Sequence, residues 1–197
     1  MLVDGIPFRL PDLPTYLMLN KPAGVITSRS DPHADQTVMD LLGGAASSTF
    51  PVGRLDRDTS GLLLLTNDGD LAYRLSHPKF GVEKVYRALV YGHVREDSLQ
   101  SLRSGILLED GITAPAHAAF VKMLGRNSII EIGVHEGRKR QVRRMVEKVG
   151  HRVIDLQRIR YGTLVLGDLA PGSWRQLSKE EVRSLQHAVG LQPSPKQ

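Results

Sequence analysis

The 197 residues contain no cysteine, which excludes disulfides, thiolate-held zinc and thiol nucleophiles. No apolar run approaches the roughly 20 residues that cross a bilayer. The first residues, MLVDGIPFRLPDLP, lack the basic-then-apolar order of a secretory signal, and a cytoplasmic protein is expected. Neither GxxxxGK[ST] nor GxGxxG occurs, so no nucleotide-phosphate loop is legible. The seven histidines include no pair at the i, i+4 spacing of a helical zinc site. His135, beside a glycine turn, reads as a surface or hydrogen-bonding residue. Internal repeats and low-complexity stretches are missing too.

Acidic residues are scarce in one window. Between Arg138 and Arg160 stand nine Lys or Arg against two acids, although the whole chain carries only +5. The rest of the chain is therefore slightly acidic, and the positive charge is focused. A focused basic region attracts polyanions, nucleic acid above all, although a solvated helix face is the plainer reading of such a run.

Apolar content of 41% and charged content of 24% are ordinary for a globular protein with a sizeable core. YLMLN, from Tyr16 to Asn20, reads as a buried strand stopped by the turn KPAG, and Leu62 to Leu65 as another apolar run of strand length. Lys84 to Tyr91 (KVYRALVY) and Ser128 to Val134 (SIIEIGV) are further strands. Thr37 with Asp40 and Ser178 with Glu181 form capping boxes at helix starts, and Leu177 with Val182 forms a hydrophobic staple. A helix begins near Asp70, and another covers Asp97 to Ser104. Arg140 to Val149 is amphipathic, with Val142, Met145, Val146 and Val149 at i, i+3, i+4, i+7. Strands and helices mix without strict alternation, which predicts an α+β fold with a mostly antiparallel sheet.

The chemistry centres on GRLDRDTSGLLLLTNDG, Gly53 to Gly69. DRDTSG resembles the opening of a calcium loop, but its twelfth position is Asn67 where a bidentate glutamate is required. A phosphatase DxDxT would need its threonine one residue later. A carboxylate at the mouth of a buried strand can cap the backbone, pair with an arginine or do chemistry. Asp58, followed by Thr59, Ser60 and Gly61, is the capping candidate. Asp56, one step inside, could be an ion-pair partner or a reactive group. If partly buried, it needs a fixed cation to stay ionised, and Arg140, Arg143 and Arg144 on the basic helix can supply one.

NKPAGVITS, GRLDRDTSGLLLLTNDG, EKVYRALV and EGRKRQVRRM, in that order, resemble the RsuA/RluB-type ribosomal RNA pseudouridine synthases over about Leu17 to Leu177. The resemblance implies a pseudouridine synthase fold, a mixed and mostly antiparallel sheet flanked by helices with an RNA-binding cleft. It implies Asp56 as the catalytic carboxylate, Tyr86 as the aromatic face against uracil, and Arg143 as the cation paired with Asp56. Arg54 is then expected to hold RNA open where the base leaves. Lys21, Arg57, Arg138, Lys139, Arg140 and Arg144 are the remaining RNA-binding candidates. No metal and no cofactor is implied, and a monomer working without a membrane is expected.

Arginine at 143 and the segment SDPHADQTVMDLL are similar to the large-subunit members of that family, with a small-subunit substrate as the alternative. Residues 1–14 are expected to be the remnant of an S4-like module and linker, 15–190 the catalytic domain and 191–197 a loose tail. Two competing functions share the pattern only in part. A noncatalytic RNA-binding or ribosome-assembly factor would not need Asp56, and an acid–base enzyme using Asp56 and Asp58 on another substrate would not need the basic region.

Overall fold

A computed structural model describes residues 13–33, 35–43 and 48–192, together with the backbone of 2–3 and 6–7. In chain order the elements begin with β1 (Leu2–Val3) and β2 (Ile6–Pro7), an antiparallel pair, followed by β3 (Tyr16–Lys21), α1 (Val38–Leu42), β4 (Phe50–Pro51) and β5 (Ser60–Thr66). Next come α2 (Gly69–Ser76), a single 3-10 turn at Pro78–Phe80, β6 (Lys84–Val90), α3 (Glu96–Ser104) and a small hairpin of β7 (Leu107–Leu108) and β8 (Gly111–Ile112). The chain continues through β9 (His117–Leu124), β10 (Asn127–Val134), α4 (Gln141–Lys148), β11 (Val153–Tyr161), β12 (Leu164–Val165), β13 (Trp174–Gln176) and α5 (Lys179–Ala188). Most of the 1–14 segment expected to be a module remnant, and residues 193–197 of the tail, lie outside the described residues.

The main sheet runs β13-β3-β5-β11-β6-β10-β9, with β4 added to β5 and β12 to β11. Every pairing in it is antiparallel except one. β5 and β11 meet in a short parallel contact, Ser60 beside Gln157 and Gly61 beside Arg158. The sheet is thus two antiparallel halves joined at a parallel seam, and the α+β class read from the sequence holds.

The four leucines of β5 explain themselves here. Leu62, Leu63, Leu64 and Leu65 are all fully buried. Leu62 and Leu64 join one core with Met18, Leu71, Leu75 and Tyr161, while Leu63 and Leu65 join another with Leu17, Leu19, Val38 and Leu55. A strand covered on both faces loses its polar alternation and becomes a continuous apolar run. The other half-sheet packs Ala88, Ile130 and Ile132 against Leu99 and Leu102 of α3 and Val142, Met145 and Val146 of α4. That is the apolar stripe expected of the basic helix.

Both capping boxes form. The Thr37 amide donates to Asp40 Oδ2 at 2.7 Å, and at α5 the Ser178 amide donates to Glu181 Oε2 at 2.8 Å while Ser178 Oγ accepts from the Glu181 amide. One local expectation changes. α4 starts at Gln141, because Arg140 takes the left-handed conformation (φ 49°) as its N-cap. β11 has no clean strand pattern, since VIDLQRIRY scatters charge over both faces, yet it holds the centre of the sheet between β5 and β6.

Candidate active site

The seam gathers the chemistry. Gly53 to Thr59 forms the approach to β5 and is fixed from below. Leu55 is buried in the core, its amide donates to Thr27 Oγ1 at 3.3 Å, and the Thr27 hydroxyl donates back to the Leu55 carbonyl at 2.9 Å. The Thr59 amide closes a turn on the Asp56 carbonyl at 3.0 Å. This holds the half-buried Asp56 at a cavity of about 280 Å³ shared with Arg54, Tyr86 of β6, Arg158 of β11 and the start of α4. No hydrogen bond or ion pair engages the Asp56 carboxylate among the described residues.

Asp58 faces the opposite way and does not cap. Arg140 grips it bidentately, Nη1 to Oδ1 at 2.9 Å and Nη2 to Oδ2 at 3.0 Å. Arg143 donates to the Asp58 carbonyl at 2.8 Å and stands 3.4 Å from Oδ2. The hydrogen bond from Arg140 holds the Asp58 carboxyl below the ordinary carboxylate range, and the charges of Arg143 and Arg140 add to it. The expected pair of Asp56 with Arg143 is therefore corrected to a pair of Asp58 with Arg143. The guanidinium at the first turn of α4 reaches the outer side of the loop, whereas Asp56 lies on its cavity side. The Asp56 charge is instead felt by Lys21 and Arg140, whose positive forms it favours.

Several expected RNA contacts change as well. Lys21 is fully buried, and Nζ donates to the carbonyls of Val25 at 2.7 Å, Pro22 at 2.9 Å and Arg57 at 3.5 Å. Burial lowers its pKa to about 8 against the opposing pull of Asp58 and Asp56. It is an internal strut that ties the KPAG turn to the Asp56 loop, and RNA cannot reach it. Lys21→Met should lose about 2–3 kcal/mol of stability, since carbonyls drawn to one ammonium lose their donor; chemical denaturation measures this.

Arg138 spends its guanidinium on the carbonyls of Asp110, Gly111 and Ile112 and on Glu136. Arg144 is bidentate to Asp110 at 2.9 Å on both arms. These two hold the β7–β8 hairpin against α4 and are not free for phosphate. Acids distant in sequence, Asp58 and Asp110, neutralise much of the basic window. Among the described residues, Arg54 and Lys139 remain exposed at the cavity without a hydrogen bond or ion pair, and exposed Arg57 donates Nε to the Gly24 carbonyl at 3.1 Å and pairs loosely with Asp35 at 3.3 Å. His135 accepts or donates at the surface, Nδ1 lying 2.8 Å from the Gly81 carbonyl.

Two cavity residues escaped the sequence reading. Lys84 and Tyr86 are two apart on β6 and so share a face; the period of two was a usable signal. Arg158 pairs in register with Tyr86 across β6 and β11, and no local pattern announces it. Tyr86 itself stands half-buried at the cavity, with the hydroxyl 3.4 Å from Arg158 Nη1. Among the described residues no cluster of three His, Asp or Glu could hold a metal ion, and no helix is long and apolar enough to cross a membrane.

The RNA pseudouridylate synthase family model matches residues 15–148. An uncharacterised RNA pseudouridine synthase of Aquifex aeolicus is 44% identical over 195 residues, covering 98% of this chain and 78% of that protein. Ribosomal large subunit pseudouridine synthase B of Bacillus subtilis is 46% identical over 174 residues, covering 87% of this chain and 71% of that protein. A crystal structure of a pseudouridylate synthase superposes with a TM-score of 0.79 at 35% identity, over 87% of this chain and 74% of that one.

Proposed function

This chain belongs to the RNA pseudouridylate synthase family, and we propose that it isomerises one uridine of large-subunit ribosomal RNA, with Asp56 as the catalytic carboxylate. The unpaired Asp56 carboxylate opening on a cavity opposite Tyr86 carries the reading of the site. The cavity is at the small end of ligand pockets, room for one nucleoside and not for a stacked strand. The target must therefore leave its stack, at a cost of a few kcal/mol. The ribosomal substrate follows the B. subtilis relative, named for the large subunit.

Within this reading each residue has a task. Asp56 acts on the ribose, at C1′ or on a sugar proton. Tyr86 offers its ring to the uracil face and holds the base as it turns. Arg54, exposed at the rim, occupies the place the base vacates. Arg143 serves at one remove, by clamping the loop through Asp58. Arg54, Arg57 and Lys139, rather than the saturated Arg138 and Arg144, meet phosphate, with Arg140 on the same rim. The enzyme needs no cofactor or metal for this, and acts as a cytoplasmic monomer on ribosomal RNA or an assembling subunit.

Pseudouridine mapping of ribosomal RNA from cells lacking the protein tests the substrate. One large-subunit uridine should lose its modification and regain it on complementation. Loss at a small-subunit position would move the substrate and leave the activity intact. No loss at any position would favour the noncatalytic assembly factor.

A further inference from the structure

Two buried cations line the cavity, Arg158 and Lys84. Arg158 is 1% exposed and Lys84 is 7% exposed. They belong to neighbouring strands, with Arg158 in register with Tyr86 and Tyr161 in register with Lys84. Arg158 Nε is spent on the Leu62 carbonyl at 2.7 Å, and its guanidinium lies over Tyr161 at 4.9 Å and Tyr86 at 5.9 Å. Its Nη2 is buried with no hydrogen-bond partner. Lys84 Nζ has only a long contact to the Val82 carbonyl, 3.4 Å, and the Tyr161 ring at 5.5 Å.

No carboxylate pairs with either cation among the described residues. The two acids that line the cavity are Asp56 and Glu136, and Glu136 is occupied by Arg138 and Gln141. Burying two like charges side by side is unfavourable, and an apolar residue of similar volume would fill the space of Lys84 at less cost. Burial and then the Arg158 charge bring the Lys84 pKa down to about 8, which still leaves the ammonium charged at neutral pH. A cavity floor that retains two unpaired positive charges is built to meet a negative charge that arrives from above.

We propose that Lys84 and Arg158 form a cationic floor that stabilises the uracil anion released when the base leaves its ribose. The inference rests on the cavity being the uridine site. Whichever ribose atom Asp56 acts on, the electron pair of the C1′–N1 bond stays with the base, and the negative charge spreads over N1, O2 and O4. After the base turns, a new bond joins C5 to C1′ as Asp56 leaves C1′ or returns the sugar proton it took; the C5 proton then leaves and N1 takes up a proton, so composition is unchanged. Preorganised charge in a water-poor cavity is worth most at the moment such an anion forms. Arg158 lies against the Tyr86 ring and Lys84 lines the same cavity two residues before Tyr86 on β6, and both are in place before the anion appears.

The test compares Lys84→Met with wild type in single turnover on an RNA whose target is uridine or 5-fluorouridine. Fluorine withdraws electrons and stabilises the base anion, so it relieves dependence on the floor. It blocks only loss of the C5 substituent after rejoining, and conversion of the target nucleoside remains readable. The rate with uridine should fall about 100-fold and with 5-fluorouridine about tenfold or less, RNA affinity staying within about twofold. Lys84→Arg should recover most of the uridine rate. The melting temperature of Lys84→Met should rise, because a buried like-charge pair is gone. Equal losses on both nucleosides, a loss confined to RNA affinity, or a fall in melting temperature would each overturn the inference. If Asp56→Asn is inactive while Lys84→Met is fully active, only this inference fails; if Asp56→Asn is active, the site reading fails first.

Discussion

Asp56→Asn should lose about 10⁴-fold or more in the rate of pseudouridine formation while changing stability by no more than about 1 kcal/mol. The two halves of this expectation have different origins. The activity loss follows from chemistry: an amide can neither attack C1′ nor take a sugar proton, and asparagine preserves the shape so that nothing else compensates. The small stability change follows from geometry. The carboxylate is held by no hydrogen bond or ion pair among the described residues, and its loop is secured through other atoms: the Leu55 backbone on Thr27, the Thr59 amide on the Asp56 carbonyl, and Asp58 on Arg140. Asparagine leaves all of these in place. Single-turnover assays on the mapped target RNA beside a thermal melt decide it. A variant that unfolds would make Asp56 structural, and one that keeps the wild-type rate would remove it from the chemistry.

The largest effect on the fold should come from Gly61→Ala. Gly61 opens β5 at the parallel seam with φ +105°, a conformation that disfavours any side chain. A Cβ there would lie 2.3 Å from the Arg158 carbonyl oxygen and 2.6 Å from the Arg158 nitrogen. Both are backbone atoms of the central strand and cannot swing aside. The cost should be about 3 kcal/mol or more, combining the strained φ with an overpacked contact. A urea midpoint displaced by about 1 M or more would register it. The nearby Gly53, also at positive φ (+70°) but with nothing within 4 Å of an added Cβ, provides the contrast. Gly53→Ala should cost only about 1 kcal/mol. Because the seam is the contact that joins the half-sheets among the described residues, opening it also separates Asp56 from Arg158 and Tyr86, and activity should fall with stability.

The parts legible in the sequence were those with local physical causes. A capping box needs only residues three apart, and both were read correctly at Thr37 and Ser178. The amphipathic stripe of α4 was visible because helical periodicity lies within one segment. Leu62 to Leu65 was legible as an apolar run of strand length; that cores cover both its faces came from the structure. Asp56 and Tyr86 were singled out by segments in a characteristic order, and both do line one cavity. Charge was read less well. The basic window was counted as a free patch, but Asp58 and Asp110, 82 and 34 residues away from Arg140 and Arg144, are folded onto it. Lys21 was expected among the RNA-binding residues through the family resemblance; its burial among three carbonyls cannot be seen from its neighbours in the chain.

By itself, then, the sequence determined the class of the fold, the two boxed helix starts, the apolar strand of four leucines and the family to which the chain belongs, because each depends on propensity, periodicity or residue order within short stretches. The tertiary structure alone decided the pairing. It assigned Arg143 to Asp58, made Lys21 a strut, left Asp56 unpaired and set Arg158 under Tyr86. Those outcomes depend on which strands meet at the seam and from which side, and distance between charges is a property of the folded chain, not of their spacing along it.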